Sequence, residues 1–308
     1  MIKVQFAARP ERWDTYQAPL REAFAKAGLQ VDLRQDHAPA EVDYVIYAPN
    51  SDLQDFTGYT ACKAVLSLWA GVEKITGNTT LTQPLCRMVD PGLTAGMVEW
   101  VTGHVLRYHL DIDRSLKTQD RWDPVVPPLA QERPVTVLGL GALGTACATA
   151  LAQLGFPVTG WSRSAKSIPG ITCEYGDAGF ARALQQAQIL ILLLPDTPAT
   201  HNTLDAKTLS LLPKGARIIN PGRGPLIEDA ALLAALDSGH LAHATLDVFR
   251  QEPLPQEHPF WAHPQITVTP HIAAETRPLT ASQMIAQNIQ RGETGLPLLN
   301  QVNRDLGY

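Results

Sequence analysis

Val135-Thr136-Val137-Leu138-Gly139-Leu140-Gly141-Ala142-Leu143-Gly144 decides how the rest of the chain is read. The first four residues predict a short strand, and Ala146, Ala148, Ala150, Leu151 and Leu154 predict a helix after the glycines. Between them, Gly139, Gly141 and Gly144 fit G-x-G-x-x-G. In that context each glycine has its own task. Gly139 allows a tight turn, Gly141 the close approach of a pyrophosphate, and Gly144 close packing of helix on strand. The amides of Ala142 and Leu143 open the helix, where the dipole favours an anion.

Five further strand candidates follow, at Val158-Trp161, Ile189-Leu193, Ala216-Ile219, Ala244-Leu246 and Ile266-Val268, separated by helical segments. This is the doubly wound pattern of a dinucleotide-binding domain. Upstream, a second βαβ series starts at Val4-Gln5-Phe6. It continues through an amphipathic stretch from Thr15 to Ala27, closed by Gly28, and strands at Val31-Leu33, Val42-Tyr47 and Ala64-Trp69. A helical pattern runs from Gly92 to about Thr118, and a proline-rich linker follows from Asp123 to Pro134. The last helical signal, Arg277 to Gln290, has no strand after it and is expected to return to the first domain. The expected fold is α/β with two Rossmann-like or flavodoxin-like domains and parallel sheets. Residues 1–98 and 278–308 form a discontinuous substrate-binding domain, and residues 99–277 the cofactor domain.

At 308 residues the chain exceeds one ordinary domain. Its net charge of −5 offers no excess of Lys and Arg for phosphate backbones, so no nucleic acid is expected as partner. The longest apolar run, Ile189 to Leu194, is strand length, which argues against a membrane span. Nor does the N-terminal stretch have the apolar core of a signal peptide. Cys62, Cys86, Cys147 and Cys173 form no CxxC pair, which suits a reduced cytoplasmic setting with idle thiols. No metal constellation is visible.

Specificity within the dinucleotides is read at the end of the second strand of the cofactor domain. NAD sites place an acid there for the ribose hydroxyls. Here the strand ends Trp161-Ser162-Arg163-Ser164, with Lys166 close behind, and no acid lies among them. Two cations and two hydroxyls suit a 2′-phosphate. NADP(H) is therefore preferred over NAD(H). Asn220-Pro221-Gly222-Arg223-Gly224 follows another strand, and its glycines are expected to bend the backbone so that Arg223 can grip a carboxylate and polarise the adjacent ketone. Asp247 and Glu252 follow the next strand, and His271 the last. A histidine beside a carboxylate is a suitable general acid for ketone reduction. The other eight histidines have no such context.

With these residues in place the chain resembles the D-2-hydroxyacid dehydrogenases, and within them the bacterial glyoxylate/hydroxypyruvate reductase A group. The resemblance covers nearly the whole chain. It is carried by Leu68-Trp69-Ala70-Gly71-Val72, Asp90-Pro91-Gly92, Gly155-Phe156-Pro157, Trp161-Ser162-Arg163-Ser164, Leu194-Pro195-Asp196-Thr197-Pro198, Leu233-Ala234-Ala235-Leu236-Asp237-Ser238-Gly239 and the terminal Val302-Asn303-Arg304-Asp305-Leu306-Gly307-Tyr308.

The resemblance implies a catalytic set of Arg223, Glu252 and His271, a cleft between the domains, and a homodimer. It also implies that the Trp69-Ala70-Gly71 loop receives the substrate carboxylate. Leu194, Pro195, Thr197, Pro221, Gly222 and His271 would line the cofactor, and Asp247 would meet the nicotinamide amide. The implied reaction is NADPH-dependent reduction of small 2-keto acids, glyoxylate to glycolate and hydroxypyruvate to D-glycerate. Trp69 stands where the family usually carries a smaller residue. With Tyr47, it keeps a bulkier 2-keto acid such as phenylpyruvate open as substrate. A non-catalytic cofactor-sensing protein is the rival of another class.

Overall fold

The structure is a computed structural model and describes residues 1–307. Tyr308, the last residue assigned to the first domain, lies outside the described residues. The chain divides into two compact units, Met1–Leu93 with the segment from Glu275 onward, and Thr94–Ala274. The first unit is thus discontinuous, and its return segment is the C-terminal helix, Pro278–Glu293.

The first unit contains β1 (Ile2–Ala7), α1 (Pro10–Lys26), β2 (Val31–Arg34), β3 (Tyr44–Tyr47), β4 (Ala64–Ser67), α2 (Glu73–Thr76) and β5 (Leu85–Cys86). The strands pair in parallel in the order β2-β1-β3-β4-β5, the flavodoxin-like arrangement. Every residue of β3 and β4 is buried, as continuous apolar runs require in a parallel sheet covered on both faces. Gly28 follows α1 with φ +71°, the left-handed residue that ends the helix. Ala281, Ile285 and Ile289 of the C-terminal helix share one core with Tyr16, Leu20 and Phe24 of α1. The strand expected from Val42 begins only at Tyr44, after a 3-10 turn at Pro39–Glu41. Tyr47 is 2% exposed, its ring set edge-on against Phe56 at 5.2 Å. It is a core residue of this unit.

The division between units falls inside α3 (Pro91–His109). Asp90 caps that helix, its Oδ1 accepting the Gly92 and Leu93 amides at 2.8 and 3.2 Å. The helical pattern read to Thr118 is interrupted at Asp111, which is left-handed at φ 52°, and α4 (Ile112–Lys117) follows. Aspartate tolerates that conformation better than most residues. Leu110, Ile112 and Leu116 around this break are 46%, 40% and 66% exposed. No core packing holds the helix straight there.

Beyond these helices the second unit runs β6 (Val135–Leu138), α5 (Ala142–Gln153), β7 (Val158–Ser162), β8 (Thr172–Tyr175), α6 (Gly176–Gln185), β9 (Ile189–Leu192), α7 (Ala206–Leu209), β10 (Ala216–Asn220), α8 (Asp229–Asp237), β11 (Leu241–Leu246) and β12 (Ile266–Val268). The seven strands pair in parallel in the order β12-β11-β10-β9-β6-β7-β8. From β6 the chain builds one way through β7 and β8, then returns to start again at β9. The carboxyl ends of β6 and β9 therefore flank a topological switch point, where open α/β sheets bind ligands. β8 was not among the expected strands. Thr172-Cys173-Glu174-Tyr175 has no buried residue and owes its conformation to pairing with β7 at the sheet edge.

The glycines at the switch point divide their tasks by geometry. Gly139 has φ +104°, and a Cβ there would meet the Leu193 carbonyl oxygen at 2.4 Å. A Cβ on Gly144 would lie 1.8 Å from the Gly139 carbonyl oxygen, whereas one on Gly141 would meet nothing within 4 Å. Inside a helix alanine normally outdoes glycine by up to about 1 kcal/mol. Gly144→Ala is nevertheless expected to destabilise the protein by about 1–3 kcal/mol through overpacking. Gly141→Ala should stay within about 0.5 kcal/mol of the parent. Urea unfolding of both variants checks this, and a Gly144→Ala protein as stable as the parent would refute the packing argument.

Candidate active site

Because the seven-stranded sheet is parallel, the loops after β6, β7, β9, β10, β11 and β12 all leave from its carboxyl edge. The sequence-expected residues of this unit lie in those loops or in the elements that border them, Trp161 and Ser162 at the end of β7 and Ala142, Leu143 and Gly144 at the start of α5. At the first, Gly139 donates its amide to the Trp161 carbonyl at 2.8 Å, tying the turn to the end of β7. Gly141 precedes α5 with no side-chain cap on the helix. The first amides of α5, at Ala142, Leu143 and Gly144, lie within the first turn and have no intrahelical acceptor. Open space at Gly141 beside uncapped amides is what a pyrophosphate group requires, so the residues present fit a dinucleotide.

The end of β7 and the loop after it hold the residues expected to bear on the ribose. Arg163, Ser164 and Lys166 are exposed, and the Lys166 ammonium donates to the Leu140 carbonyl, which places its charge over the glycine turn. The Ser162 hydroxyl is 8% exposed and donates to the Ser164 carbonyl at 2.8 Å. The Trp161 indole donates to the Gly176 carbonyl at 2.9 Å and meets Phe180 edge-on at 5.1 Å. Its ring is thereby engaged in holding the segment that opens α6. After β9, Leu194 is buried. The Thr200 hydroxyl donates to the Pro195 carbonyl at 2.7 Å and accepts the Thr197 amide at 2.9 Å, closing the loop on itself.

Arg223 is anchored by a residue that sequence reasoning did not single out. Asn220, 1% exposed at the end of β10, uses both ends of its amide. Its Oδ1 accepts the Gly222 amide at 3.1 Å, and its Nδ2 donates to the Arg223 carbonyl at 2.9 Å. An Asn three residues before an Arg in a Gly-rich turn is the signal that could have revealed it, since Asx side chains habitually close such turns. The flanking glycines serve a different end from the bend expected of them. Neither has a positive φ. A Cβ on Gly222 would lie 2.7 Å from the Leu192 carbonyl oxygen, and one on Gly224 only 2.0 Å from the Phe249 carbonyl carbon. They let the Arg223 loop press against the backbone of its neighbours. The Arg223 guanidinium also donates to the Gly222 carbonyl at 2.6 Å.

The Gly224 contact brings the loop after β11 alongside. There Glu252 accepts the Phe249 amide on Oε1 at 2.9 Å and pairs with His271 Nδ1 through Oε2 at 2.8 Å. An ionised carboxylate only accepts, so Nδ1 carries the hydrogen and Nε2 is the ring nitrogen left to exchange a proton. The imidazole is half exposed and the carboxylate about one-third exposed, at 50% and 35%. Burial pushes the Glu252 carboxyl up, but the bonds from His271 and the Phe249 amide outweigh it. The charges of His271 and Arg223 add to them, and the group sits below its ordinary 4.5. Asp247 differs. It is fully buried, and its carboxylate receives the Thr269 hydroxyl and the Ile272 and Ala273 amides. His271 itself lies in a left-handed conformation, φ 55°.

In the first unit, Trp69 is partly buried against the core. Its amide donates to the Ser67 hydroxyl at 3.0 Å, and its carbonyl accepts the Met88 amide at 3.0 Å. The Ala70 and Gly71 amides meet no acceptor among the described residues.

Comparison with known proteins gives consistent matches. Residues 102–273, more than half of the chain, match the family model described as "D-isomer specific 2-hydroxyacid dehydrogenase, NAD binding domain". Glyoxylate/hydroxypyruvate reductase A of Klebsiella pneumoniae (strain 342) is 40% identical over 282 residues, 89% of each chain. Among solved structures, a D-isomer specific 2-hydroxyacid dehydrogenase from Xanthobacter autotrophicus Py2, in complex with NADPH and MES, superposes with a TM-score of 0.93. It is 39% identical, with 100% of this chain and 99% of that one covered. An NADPH-dependent glyoxylate/hydroxypyruvate reductase from Sinorhizobium meliloti, in complex with NADP and sulfate, gives a TM-score of 0.85 at 33% identity, with the same coverage.

The depressed Glu252 carboxyl has a consequence for stability. The folded protein releases this proton at lower pH than the unfolded chain does. The contribution is therefore complete above the ordinary value of 4.5 and is lost as the pH falls through the lower folded-state value. Denaturation midpoints near neutrality and below the ordinary glutamate range should drop further in the parent than in Glu252→Gln. Equal drops would show that the pairing with His271 does not stabilise the fold.

Proposed function

The chain belongs to the D-isomer specific 2-hydroxyacid dehydrogenases, NAD(P)-binding oxidoreductases, and from that premise we propose that it reduces small 2-keto acids with NADP(H) preferred over NAD(H). Glyoxylate, going to glycolate, and hydroxypyruvate, going to D-glycerate, are the lead substrates, as in the names of its relatives. The observation that carries the reading is the 2.8 Å pairing of His271 Nδ1 with Glu252, beside a guanidinium close enough to lower that carboxyl.

Gly139, Gly141 and Gly144, with the first amides of α5, hold the pyrophosphate, and Arg163, Ser164 and Lys166 take the 2′-phosphate. When bound, the reduced nicotinamide supplies the hydride that the keto carbon accepts. His271 gives its Nε2 proton to the ketone oxygen, and in reverse takes it back. Glu252 keeps the imidazole in the tautomer and orientation this requires. Arg223 binds the substrate carboxylate and polarises the carbonyl, which stabilises the developing oxyanion. The Ala70 and Gly71 amides offer further donors to the carboxylate, as the family resemblance implies.

We assign the protein to the cytoplasm on its four unbridged cysteines. Among the described residues no helix is long and apolar enough to cross a membrane. We further infer a homodimer. Leu116, Trp122, Val126 and Leu129 are 66%, 94%, 90% and 65% exposed within one short segment, an apolar grouping that a second copy would cover.

Initial rates of NADPH and NADH oxidation with glyoxylate, hydroxypyruvate, pyruvate and phenylpyruvate test the whole reading. Fast NADPH-linked turnover of the two small polar substrates is expected. Preference for phenylpyruvate would mean that Trp69 lines a larger pocket, and silence across the panel would point to a cofactor sensor. Arg163→Ala should cut the preference for NADPH about 10- to 100-fold, the worth of one charge-assisted bond. His271→Ala should lose turnover while binding cofactor as before, and wild-type turnover in that variant would remove His271 from its role.

A further inference from the structure

The turn that carries His271 is held by a buried carboxylate just past the end of the neighbouring strand. Asp247, 0% exposed just after β11, accepts the Thr269 hydroxyl at 2.6 Å and the Ile272 amide at 2.9 Å on Oδ1. On Oδ2 it accepts the Ala273 amide at 2.9 Å. Its main-chain carbonyl takes the His271 amide at 2.8 Å, and its own amide donates to the Asn220 carbonyl at 3.0 Å. Asp247 therefore grips the turn ahead of His271, at it and beyond it, and is itself tied to the residue that anchors Arg223.

The backbone explains why such a grip is needed. His271 is left-handed at φ 55°, a conformation that a residue with a side chain keeps only when its surroundings over-determine it. A left-handed residue turns the amides that follow it toward a common point, an anion-binding concavity. Here the carboxylate of Asp247 occupies that point. Two of its three donors are backbone amides that any substitution preserves. Among the described residues the Thr269 hydroxyl is the one side-chain donor to it, and at 2.6 Å it is in the short range of a hydroxyl bonded to a charged acceptor. Without that donor Oδ1 keeps only the Ile272 amide, the carboxylate loses one of its three constraints, and the turn it grips is held less tightly. His271 Nδ1 then loses its register with Glu252.

We propose that Thr269 is a positioning residue for the proton donor, acting through Asp247 to keep the His271 turn in its left-handed form. The proposal rests on the reading of His271 given above, and a double-mutant cycle separates the two. Steady-state kinetics with glyoxylate and NADPH are measured for the parent, Thr269→Val, Thr269→Ser, His271→Ala and the His271→Ala/Thr269→Val double variant.

Thr269→Val replaces the hydroxyl by a methyl group of similar size. It should lower kcat about 10- to 100-fold, the cost of a small misplacement of a reacting group. KM for glyoxylate should move by no more than about twofold, because the carboxylate-binding Arg223 is untouched. Thr269→Ser should restore kcat, and adding Thr269→Val to His271→Ala should cost nothing further. If Thr269→Val costs the same factor with or without His271, or if Ser behaves as Val does, the residue acts on the fold at large and the proposal is overturned. Should the Val variant fail to fold, Thr269→Ala carries the same cycle without added bulk. Wild-type turnover in His271→Ala alone is read at an unaltered position 269, and would overturn the catalytic reading and this proposal with it.

Discussion

Backbone approaching backbone more closely than any side chain allows is the constraint on which the carboxyl edge of the seven-stranded sheet depends. A Cβ at Gly144 would lie 1.8 Å from the Gly139 carbonyl oxygen, and one at Gly224 would lie 2.0 Å from the Phe249 carbonyl carbon. The first contact presses α5 onto the turn after β6 and leaves Gly141 facing open space. The second lays the Arg223 loop against the segment that leads to Glu252. Interiors packed at crystal-like density transmit a misfit of even one methyl group. The glycine turn and the carboxylate-imidazole pair are therefore set by the same kind of contact at separate points along one edge.

Much of this was legible in the sequence. The apolar run before Gly139 and the strands at Val158, Ile189 and Ala216 are found where the spacing placed them, because a parallel strand covered on both faces is largely apolar. The strand read from Ala244 begins three residues earlier, at Leu241, and that at Ile266 is found although it lies at the sheet edge. β8 escaped notice because an edge strand half in solvent needs no such run. The continuous helix read to Thr118 failed for a related reason. Leu106 and Leu110 continue the helical spacing of Val101 and Val105, but Leu110 is exposed and no core lies under it to carry the helix on. Periodicity reports a face, and only tertiary packing decides whether the face is covered.

At the candidate site, the charged and titratable groups could be read and their supports could not. Arg223, Glu252 and His271 stand out as charged or titratable residues in strand-to-loop context. Asn220 and Thr269 do not, since an amide or hydroxyl at a strand end is ordinary until its partners are known. The roles of Gly222 and Gly224 were likewise hidden. The sequence suggests conformational freedom, whereas the dihedrals are ordinary and the need is for room. A close approach joins residues far apart in the chain, and no local pattern encodes it.

The two acids that follow β11 show how burial divides labour between like groups. Asp247 is shut away from water, and its carboxylate meets donors of the turn that follows β12. A buried charge is tolerated only when its oxygens are supplied with donors, and the donors that supply this one belong to the backbone and side chain of the turn it shapes. Glu252 is about one-third exposed and keeps one oxygen for an imidazole whose other nitrogen is not engaged by it. Exchange of their places would fail on both counts. A half-hydrated carboxylate could not over-determine a left-handed turn, and a fully enclosed one would leave the imidazole no path to a reactant. The six residues from Asp247 to Glu252 thus separate the task of fixing the His271 backbone from the task of orienting its ring.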